Sequence, residues 1–326
     1  MKKILFTLVC LLGMSVAANA ASKSDIVLQH GSNITVYNAE DFPAAMEAAV
    51  DGDVIFLGEG SYPGFGITKK ITVQGVGVGT IIEGDISIDI PNEPVLTAPM
   101  LQYMVIRGGV SVMSVTRGLG IKQCRIGAYL KSLYFDTTTY DAYIDRCVID
   151  NGGKISIAKT YSETITINGQ GGTFTYPYVK GLTVTNSFVE GVYGSPYSTN
   201  VTFVNCYIAW LLGTGSLGTV INSMLYRIQE PISNTKFVNT FMPASDNFLS
   251  NCTTSNCYFA PGTSYSYDSE DLITNGYLGN DGTIVGPLGG TTPLTLEPDV
   301  PQVTVSNFKV DHQKQELNVT LTATPE

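Results

Sequence analysis

The sequence predicts an all-β fold, a right-handed parallel β-helix, and the main reason is an asparagine that recurs at a nearly constant interval. Each copy lies 17 to 19 residues after the one before it, at Asn168, Asn186, Asn205, Asn222, Asn239, Asn256 and Asn275. A small residue follows every copy, and from the second copy on an apolar residue stands three positions after the asparagine. A constant period with a repeated local pattern is typical of a solenoid, in which stacked units share one core.

The residues within each unit predict short strands and tight turns. Each unit is rich in Val, Ile, Thr, Tyr and Phe and is interrupted by Gly and Asn. Because Asn tolerates left-handed backbone angles, we expect it at the turn between two strands, stacked in a ladder. Gln123 and Arg146 occupy the Asn position in two earlier, degenerate coils. A β-sandwich with accidental spacing is the alternative fold.

The chain starts with a predicted export signal at residues 1–20. Lys2 and Lys3 provide the positive start, residues 4–16 are apolar, and residues 18–20 form a cleavage site of small residues. We therefore predict an exported protein that is periplasmic, on the cell surface or secreted, without membrane insertion. The predicted domains are a solenoid with its N-terminal cap at 21–298 and a tail at 299–326.

Residues 41–50 are the one segment with a helical pattern. Asp41 is a candidate N-cap, and Pro43 lies in the first turn. A buried strand at Val54–Leu57 follows. We expect the helix to cover the first coil, because an open solenoid end exposes apolar side chains and an unpaired strand.

The tail is predicted to form a β-hairpin. Residues 303–310 and 316–322 both alternate between apolar and polar side chains, and a polar stretch around His312 separates them. Such a hairpin either covers the last coil or docks a partner.

Three features resemble the pectin-lyase-like group of right-handed parallel β-helix proteins. The run 44–62 resembles the opening of these proteins, and the Asn-Ser and Asn-Cys coils resemble their asparagine ladders. The segment 281–293 is similar to the closing segment of exported bacterial β-helix proteins. The resemblance implies the fold but no single activity, because this fold carries lyases, hydrolases, esterases, adhesins and inert scaffolds.

Charge and composition argue against several partners and catalytic sites. The formal net charge is −10, and losing Lys2 and Lys3 with the signal removes two positive charges and makes it −12. This disfavours nucleic acid and anionic membranes as partners. Because His30 and His312 lie outside the coils, we expect no Ser-His-Asp triad or HExxH zinc site on the solenoid. The cysteines show no zinc-type spacing, and calcium is the only cofactor left to consider.

The best candidate catalytic cluster lies in one coil. Asp145 and Asp150 flank its apolar positions, Arg146 follows the first, and Lys154 stands in the next turn. Several carboxylates beside a turn suit calcium, and in the lyases that the sequence resembles an Arg or Lys abstracts a proton. This interpretation is a polysaccharide lyase or a related carbohydrate-active enzyme. The alternative is a solvated acidic loop with Arg146 as the counter-charge.

A second candidate site is a stripe of residues that each stand two positions after an asparagine. Its members are Phe188, Tyr207, Met224, Phe241, Tyr258 and Tyr277. Strand alternation points them outward, about 4.8 Å apart along the axis, where a sugar chain could stack. Trp210 and Tyr193 would extend the stripe. In the alternatives, a loop or the hairpin covers the stripe, or these residues fill the core.

We therefore predict a non-catalytic exported protein that binds a polysaccharide or a surface protein along this outward strand face. The carbohydrate-active enzyme is the second interpretation, and a structural surface spacer is the third. A binder needs only the aromatic stripe, whereas a lyase needs an Arg or Lys that faces acidic side chains.

Overall fold

The computed structural model of the protein describes most of the chain from residue 25 onward. The described residues are 25–92, 94–98, 100–127, 133–135, 139–156, 166–167, 170–171, 179–193, 199–212, 218–228, 231–243, 249–260, 276–295, 302–311 and 316–324. They form a parallel β-solenoid with one short α-helix near its N-terminus, which confirms the predicted fold class. The right-handed sense of the coil stays a prediction.

The strands are short and follow one another closely. In chain order they are β1 (Ile26–His30), β2 (Asn33–Tyr37), β3 (Val54–Leu57), β4 (Gly60–Tyr62), β5 (Phe65–Ile67), β6 (Thr72–Gln74), β7 (Thr80–Ile82), β8 (Ile86–Ile88), β9 (Leu101–Ile106), β10 (Val110–Val112), β11 (Thr116–Arg117), β12 (Gly120–Ile126), β13 (Leu133–Phe135), β14 (Thr139–Asp145), β15 (Val148–Ser156), β16 (Thr166–Ile167), β17 (Gln170–Gly171), β18 (Val179–Thr185), β19 (Phe188–Tyr193), β20 (Thr199–Val204), β21 (Tyr207–Leu212), β22 (Thr219–Ile221), β23 (Met224–Ile228), β24 (Ile232–Ser233), β25 (Lys236–Val238), β26 (Phe241–Pro243), β27 (Leu249–Ser250), β28 (Thr253–Ser255), β29 (Tyr258–Ala260), β30 (Gln302–Asp311) and β31 (Glu316–Thr324). Helix α1 spans Phe42–Ala48 after a 3-10 turn at Ala39–Asp41. Within the described ranges no helix has the length and apolar character needed to cross a bilayer.

Three stacks of parallel strands make up the solenoid body. Sheet 1 contains β3, β6, β9, β12, β14, β18, β20, β22, β25 and β28. Sheet 2 contains the end of β12 and then β15, β19, β21, β23, β26 and β29. The shorter strands β5, β8, β10 and β13 stack on a third side. Equivalent residues of successive coils therefore lie in columns, about 4.8 Å apart.

The turn between sheets 1 and 2 confirms the predicted role of the repeated residue. One residue per coil is left-handed there, with φ between 46° and 57°, and these residues form the Asn column: Tyr103, Gln123, Arg146, Asn186, Asn205, Asn222, Asn239 and Asn256. The two degenerate positions, Gln123 and Arg146, are where the repeat places them. Asn168 and Asn275 lie outside the described residues. Left-handed angles cost most residues about 1–2 kcal/mol, and Asn tolerates them better than other residues with a Cβ.

A second column of left-handed residues has no counterpart in the sequence repeat. It lies on the N-terminal side of the sheet 1 strands and contains Asp141, Gly181, Asn200, Asn234 and Asn251. Gly181 is required there, because its φ is +93° and a Cβ would come within 2.6 Å of the Asp141 carboxylate oxygen. Because three residue types share the role, the column leaves no periodic signal.

The small residue after each turn of the Asn column points into the core, as predicted. Those positions are completely buried at Cys124, Cys147, Ser187, Cys206, Ser223 and Thr240. The Ser187 hydroxyl accepts the Cys147 N–H at 3.0 Å, so this column also joins neighbouring coils. Burial raises the pKa of the Cys124 and Cys206 thiols to about 12. These thiols are therefore neutral at physiological pH and serve as packing residues.

Helix α1 covers the first coil but is shorter than predicted. It ends at Ala48, not at residue 50, and the Asp41 side chain makes no capping hydrogen bond. Phe42 anchors the helix, with its ring edge-on to Tyr62 at 5.7 Å between centroids. The helix ends early because Ala49 is extended.

Lys69 stabilises this helix end from the following coil. Its Nζ donates to the carbonyls of Glu47 at 2.7 Å and Ala49 at 2.6 Å. Carbonyls at a helix C-terminus lack partners within the helix, and a cation also complements the helix dipole there.

The two ends of the chain carry antiparallel pairs. β1 pairs with β3 and β2 pairs with β1, so a hairpin shares the N-terminal cap with the helix. The predicted C-terminal hairpin is confirmed: β30 and β31 pair antiparallel in a sheet of their own. The cap at the N-terminus thus has a strand component that the helical pattern does not reveal.

Candidate binding groove

Residues 276–295, the closing segment, fold back along the outside of the solenoid and cross the Asn column. Asn222 donates through Nδ2 to Asn280 Oδ1 at 2.8 Å, and the Asn280 N–H donates to Asn222 Oδ1 at 3.2 Å. Farther along the segment, Asn186 Nδ2 donates to Thr292 Oγ1 at 3.0 Å. Amides of the Asn column therefore bind this segment as well as one another.

An apolar residue and a glycine hold the closing segment close to the solenoid. Val285 is completely buried in a cluster outside the main core, together with Met224 and Phe241 of sheet 2. Gly290 has a φ of +78°, and a Cβ there would overlap the Asn205 amide nitrogen. A larger residue at Gly290 would lift the segment off the Asn column.

The closing segment covers the centre of the predicted stripe, so an open stripe across six coils is wrong. The stripe lies on sheet 2 outside the main core, as predicted, but Tyr207 is only 9% exposed and Phe241 only 5%. Val285 and Tyr277 belong to the same cluster, and the Tyr277 ring lies 4.8 Å from that of Phe241. The physical reason is that a segment more than thirty residues away in sequence buries these rings, which strand alternation does not reveal.

The two ends of the stripe stay half-buried. At the N-terminal end Phe188 stacks on Tyr207, with ring centroids 4.9 Å apart and 9° between the planes. At the C-terminal end Tyr258 packs against Tyr277 at 4.8 Å and 58°. Ligand contact at the stripe is therefore restricted to its ends.

Trp210 and Tyr193, which would extend the stripe, lie on neighbouring strands of sheet 2. Trp210 is half-buried, and the guanidinium carbon of Arg227 lies 5.1 Å from its ring. The Tyr193 side chain lies outside the described part of the structure. Trp210 therefore already has a cation beside its ring.

A groove of about 530 Å³ opens at the C-terminal end of the Asn column. It is lined by Asn239, Asn256, Cys257, Tyr258, Leu278, Gly279 and Asn280. The last described coils of the solenoid form one wall, and the start of the closing segment forms the other. The groove includes one predicted ligand-binding residue, Tyr258. In the sequence, the repeat identifies the asparagines of the groove only as turn residues. Their role as binding residues could not be predicted from the repeat alone.

The groove lies beside the last described coil. β28 and β29 pair only with β25 and β26 among the described strands. Asn239 is buried by the coil that follows it, whereas Asn256 is exposed. Phe259 continues the inward position of Met242 and yet is 50% exposed. The last described coil thus leaves polar turn residues open to a ligand.

The seventh copy of the repeat, at Asn275, predicts one more coil at this end, and the residues after it contradict that prediction. Leu278 forms an antiparallel bridge with Ile284 in place of a solenoid strand. Gly276 and Gly282 have φ of +70° and +77°. Because these glycines allow the chain to reverse, the closing segment leaves the path of the coils.

The groove presents neutral polar groups beside an aromatic ring. Asn239 Nδ2 donates to Asn222 Oδ1 at 3.3 Å, whereas Asn256 and Asn280 are exposed. Each amide offers two N–H donors and a carbonyl acceptor, and Tyr258 adds an apolar ring face. None of the described lining residues is charged, so the groove suits a neutral ligand.

The predicted acidic cluster is present, and each carboxylate has its own partner. Asp145 Oδ2 accepts from Arg146 Nε at 3.0 Å, and Asp145 Oδ1 accepts from the Thr185 hydroxyl at 2.7 Å. Asp150 Oδ2 accepts from the Arg125 guanidinium at 2.6 Å. The two predicted calcium ligands are thus held by separate arginines, as in the solvated-loop alternative.

Lys154, the predicted base, lies opposite Gly191 of β19, and its side chain is outside the described part of the structure. Across the described ranges, no group of three or more His, Cys, Asp or Glu side chains could hold a metal ion. Calcium at Asp145 and Asp150 and proton abstraction by Lys154 both stay predictions.

His30, which gives no functional signal in the sequence, is paired with a buried carboxylate. Its Nδ1 lies 2.7 Å from Asp53 Oδ1, and Asp53 Oδ2 accepts the Val50 N–H at 2.8 Å. The antiparallel register of β1 and β3 brings the two residues together. The pair links the first hairpin to the first coil, which makes it part of the N-terminal cap.

Comparisons with protein-family models, with curated proteins and with solved structures find no match to this chain. The likeness to the pectin-lyase-like group therefore rests on residues 44–62, on residues 281–293 and on the asparagine coils.

Proposed function

We propose that this chain is an exported, non-catalytic protein of the pectin-lyase-like group that binds a neutral glycan in the groove at the end of its solenoid. The observation that carries the proposal is the meeting of the Tyr258 ring with the exposed amides of Asn256 and Asn280. Export is supported by the apolar, positively charged leader at 1–20, and the group by the run 44–62 and the asparagine coils.

The chemistry of the groove favours a sugar chain. A sugar ring has an apolar face and a rim of hydroxyls, which an aromatic ring and amides complement. The volume of about 530 Å³ falls within the range of roughly 300–1,000 Å³ that is typical of small-ligand pockets. Beside it all three residues of the strand Thr253–Ser255 are exposed, and each carries a hydroxyl. A longer glycan could therefore continue across the last coil.

The same residues support binding without catalysis. A lyase needs a base that can take a proton near neutral pH, and no described lining residue of the groove is charged. At the acidic cluster, Asp145 and Asp150 are engaged by Arg146 and Arg125. No contact of the described residues favours the enzyme interpretation over the binder.

Binding is first measured on an array of linear neutral oligosaccharides, including β-glucan, xylan and mannan hexamers, with and without calcium. The hexamer that binds most tightly is then titrated into variants by calorimetry. We expect Tyr258→Ala to weaken binding about tenfold, because it removes the ring face of the groove. Asn256→Gly should weaken binding severalfold while the left-handed backbone is retained.

The last coil supplies matched controls. Phe259→Ala removes a neighbouring ring that is half-exposed but does not line the groove. Asn251→Gly changes an exposed asparagine with the same φ as Asn256, 52°. Both control variants should bind like the unchanged protein. The proposal would be contradicted if the control variants lost as much affinity as the test variants, or if no glycan on the array bound. Release of unsaturated products from any glycan would contradict it as well.

A further inference from the structure

Three asparagine amides at the groove hold one another in fixed orientations. The backbone N–H of Asn280 donates to Asn222 Oδ1 at 3.2 Å, and because a backbone N–H is always a donor, this bond identifies the oxygen of the Asn222 amide. The nitrogen of the same amide donates to Asn280 Oδ1 at 2.8 Å. Asn222 Oδ1 also accepts from Asn239 Nδ2 at 3.3 Å. Asn222 therefore sets the orientation of both neighbouring amides.

These hydrogen bonds determine which amide atoms face a ligand. They use the nitrogen of the Asn239 amide and the oxygen of the Asn280 amide, so the other two groups are the Asn239 carbonyl oxygen and the Asn280 amino group. Both residues line the groove, Asn239 on the wall formed by the solenoid and Asn280 on the wall formed by the closing segment. The groove thus offers an acceptor on one wall and a donor on the other.

A secondary amide on the ligand complements this arrangement. Such an amide is planar and trans, so its N–H and its C=O point in opposite directions. Between the two walls, the N–H can donate to Asn239 Oδ1 while the C=O accepts from Asn280 Nδ2. A hydroxyl carries its donor and its acceptor on a single oxygen and therefore reaches less far across the groove.

Apolar side chains lie beside the two amides. Leu278 is 39% exposed, Cys257 is half-buried, and both line the groove. A cysteine thiol packs as a small hydrophobic group. A ligand methyl group would lose contact with water against these two residues, whereas a ligand hydroxyl would lose its hydrogen bonds there. The lining therefore favours a ligand in which an amide carries a methyl group.

We propose that the neutral glycan of this groove is a chain of N-acetylated amino sugars, as in chitin. The acetamido group bridges Asn239 and Asn280, and its methyl group packs against Leu278 and Cys257. The sugar ring lies on the ring of Tyr258. The assignment rests on the glycan function proposed for the groove and names the substituent that the groove recognises.

Two hexasaccharides test the assignment directly. Chitohexaose and cellohexaose share their backbone and linkage and differ only in the acetamido group, which replaces one hydroxyl on each ring. In calorimetric titrations chitohexaose should bind about tenfold more tightly, because two hydrogen bonds and a buried methyl group are added. In saturation-transfer NMR the acetyl methyl protons should receive the largest saturation from the protein.

The outcomes separate this assignment from the proposed function. Equal affinities for the two hexasaccharides, or weak saturation of the acetyl methyl protons, would overturn the acetamido assignment and leave a neutral glycan site in place. If no neutral hexasaccharide bound, chitohexaose included, the proposed function itself would be wrong, and the assignment with it.

Two variants test the residues that distinguish the ligands. Leu278→Ser removes the apolar contact, and Asn280→Asp keeps the oxygen that accepts from Asn222 but replaces the donor group. Each should reduce the ratio of chitohexaose affinity to cellohexaose affinity severalfold. The controls are Leu288→Ser, at a 47% exposed position of the same segment, and Asn251→Asp, at an exposed position of the last described coil.

Neither control residue lines the groove, so both control variants should keep the ratio of the unchanged protein. Circular dichroism should show that all four variants are folded. An unchanged ratio in either test variant, or an equal fall in its control, would overturn the contact assigned to that residue.

Two charged relatives of chitohexaose show whether charge decides binding. The fully deacetylated hexasaccharide is cationic, and a strand in which every second ring carries a lactyl carboxylate is anionic. Because the first lacks the acetamido group and the net charge of −10 repels the second, both should bind less tightly than chitohexaose at physiological ionic strength. Tighter binding of either one would overturn the assignment of a neutral N-acetylated chain.

Discussion

At the turn from sheet 1 to sheet 2, one residue in each coil must adopt a left-handed backbone angle. Asn meets it with little strain and also joins coils, as where Asn239 donates to Asn222 at 3.3 Å. Two residues with longer side chains, Arg146 and Gln123, adopt the same left-handed angle. Arg146 has a φ of 50° and an ion pair with Asp145. Gln123 has a φ of 48° and is only 1% exposed.

Asn222 allows the two contributions to be separated. Asn222→Ala should lower the free energy of unfolding by about 3 kcal/mol, because it combines left-handed strain with the loss of bonds to Asn239 and Asn280. Asn222→Gly loses the same bonds without the strain, so its effect should be smaller by about 1–2 kcal/mol. Denaturant unfolding of both variants measures the difference. Equal effects would show that the backbone angle is not the constraint at this turn.

The Asn column is predictable from the sequence because one residue type fills most of it at one period. The same reasoning extends to Gln123 and Arg146, since the apolar residues around them keep the spacing. The second left-handed column is not predictable in this way. Asp141, Gly181 and Asn200 all have a positive φ but are three different residue types, so no pattern appears until the coils are stacked.

At the scale of elements, the closing segment decides which surface of sheet 2 is available. Its Val285 fills the space above Met224 and Phe241, so rings that point outward from the coil are nevertheless buried. Strand alternation within one segment determines whether a side chain points into or out of the coil. Burial depends on a contact between segments that are distant in sequence, and the repeat contains no information about it.

The only tryptophan of the chain, Trp210, packs against this cluster and reports on the closing segment. Val285→Asp buries a carboxylate without a partner, so the segment should detach. We expect the Trp210 emission to shift to longer wavelength and its quenching by acrylamide to increase, while the far-UV spectrum of the solenoid is retained. Leu288→Asp, at a 47% exposed position of the same segment, is the control and should leave the emission unchanged. Unchanged emission in Val285→Asp would contradict the contact.

At the scale of the whole molecule, the two ends of the solenoid differ. The N-terminal end is closed by α1 and by the β1–β2 hairpin, whereas the last described coil leaves Asn256 and Phe259 exposed. The chain as a whole has a net charge of −10, yet the groove beside the last described coil has no charged lining among the described residues. A neutral ligand is therefore not repelled there, while most anions would be.

The fold of the whole molecule is far more visible in the sequence than its site. Stacked coils require the same residue classes at equivalent positions, so the sequence pattern that predicts the solenoid recurs in successive coils. The groove is formed by Tyr258 and Asn256 on the last described coil and by Leu278 and Asn280 on a segment that turns back at Gly276. A site that occurs once and joins two segments produces no repeat to detect.

Hydrogen–deuterium exchange of the unchanged protein, with and without the neutral hexasaccharide that it binds most tightly, tests the proposed site most directly. Bound glycan should slow exchange in β28, β29 and residues 278–280, and should leave β1, β2 and the C-terminal hairpin unaffected. Slower exchange around Asp145 and Asp150, or at the Phe188 end of the stripe alone, would contradict the placement of the site. Binding without protection of the last coil would contradict it as well.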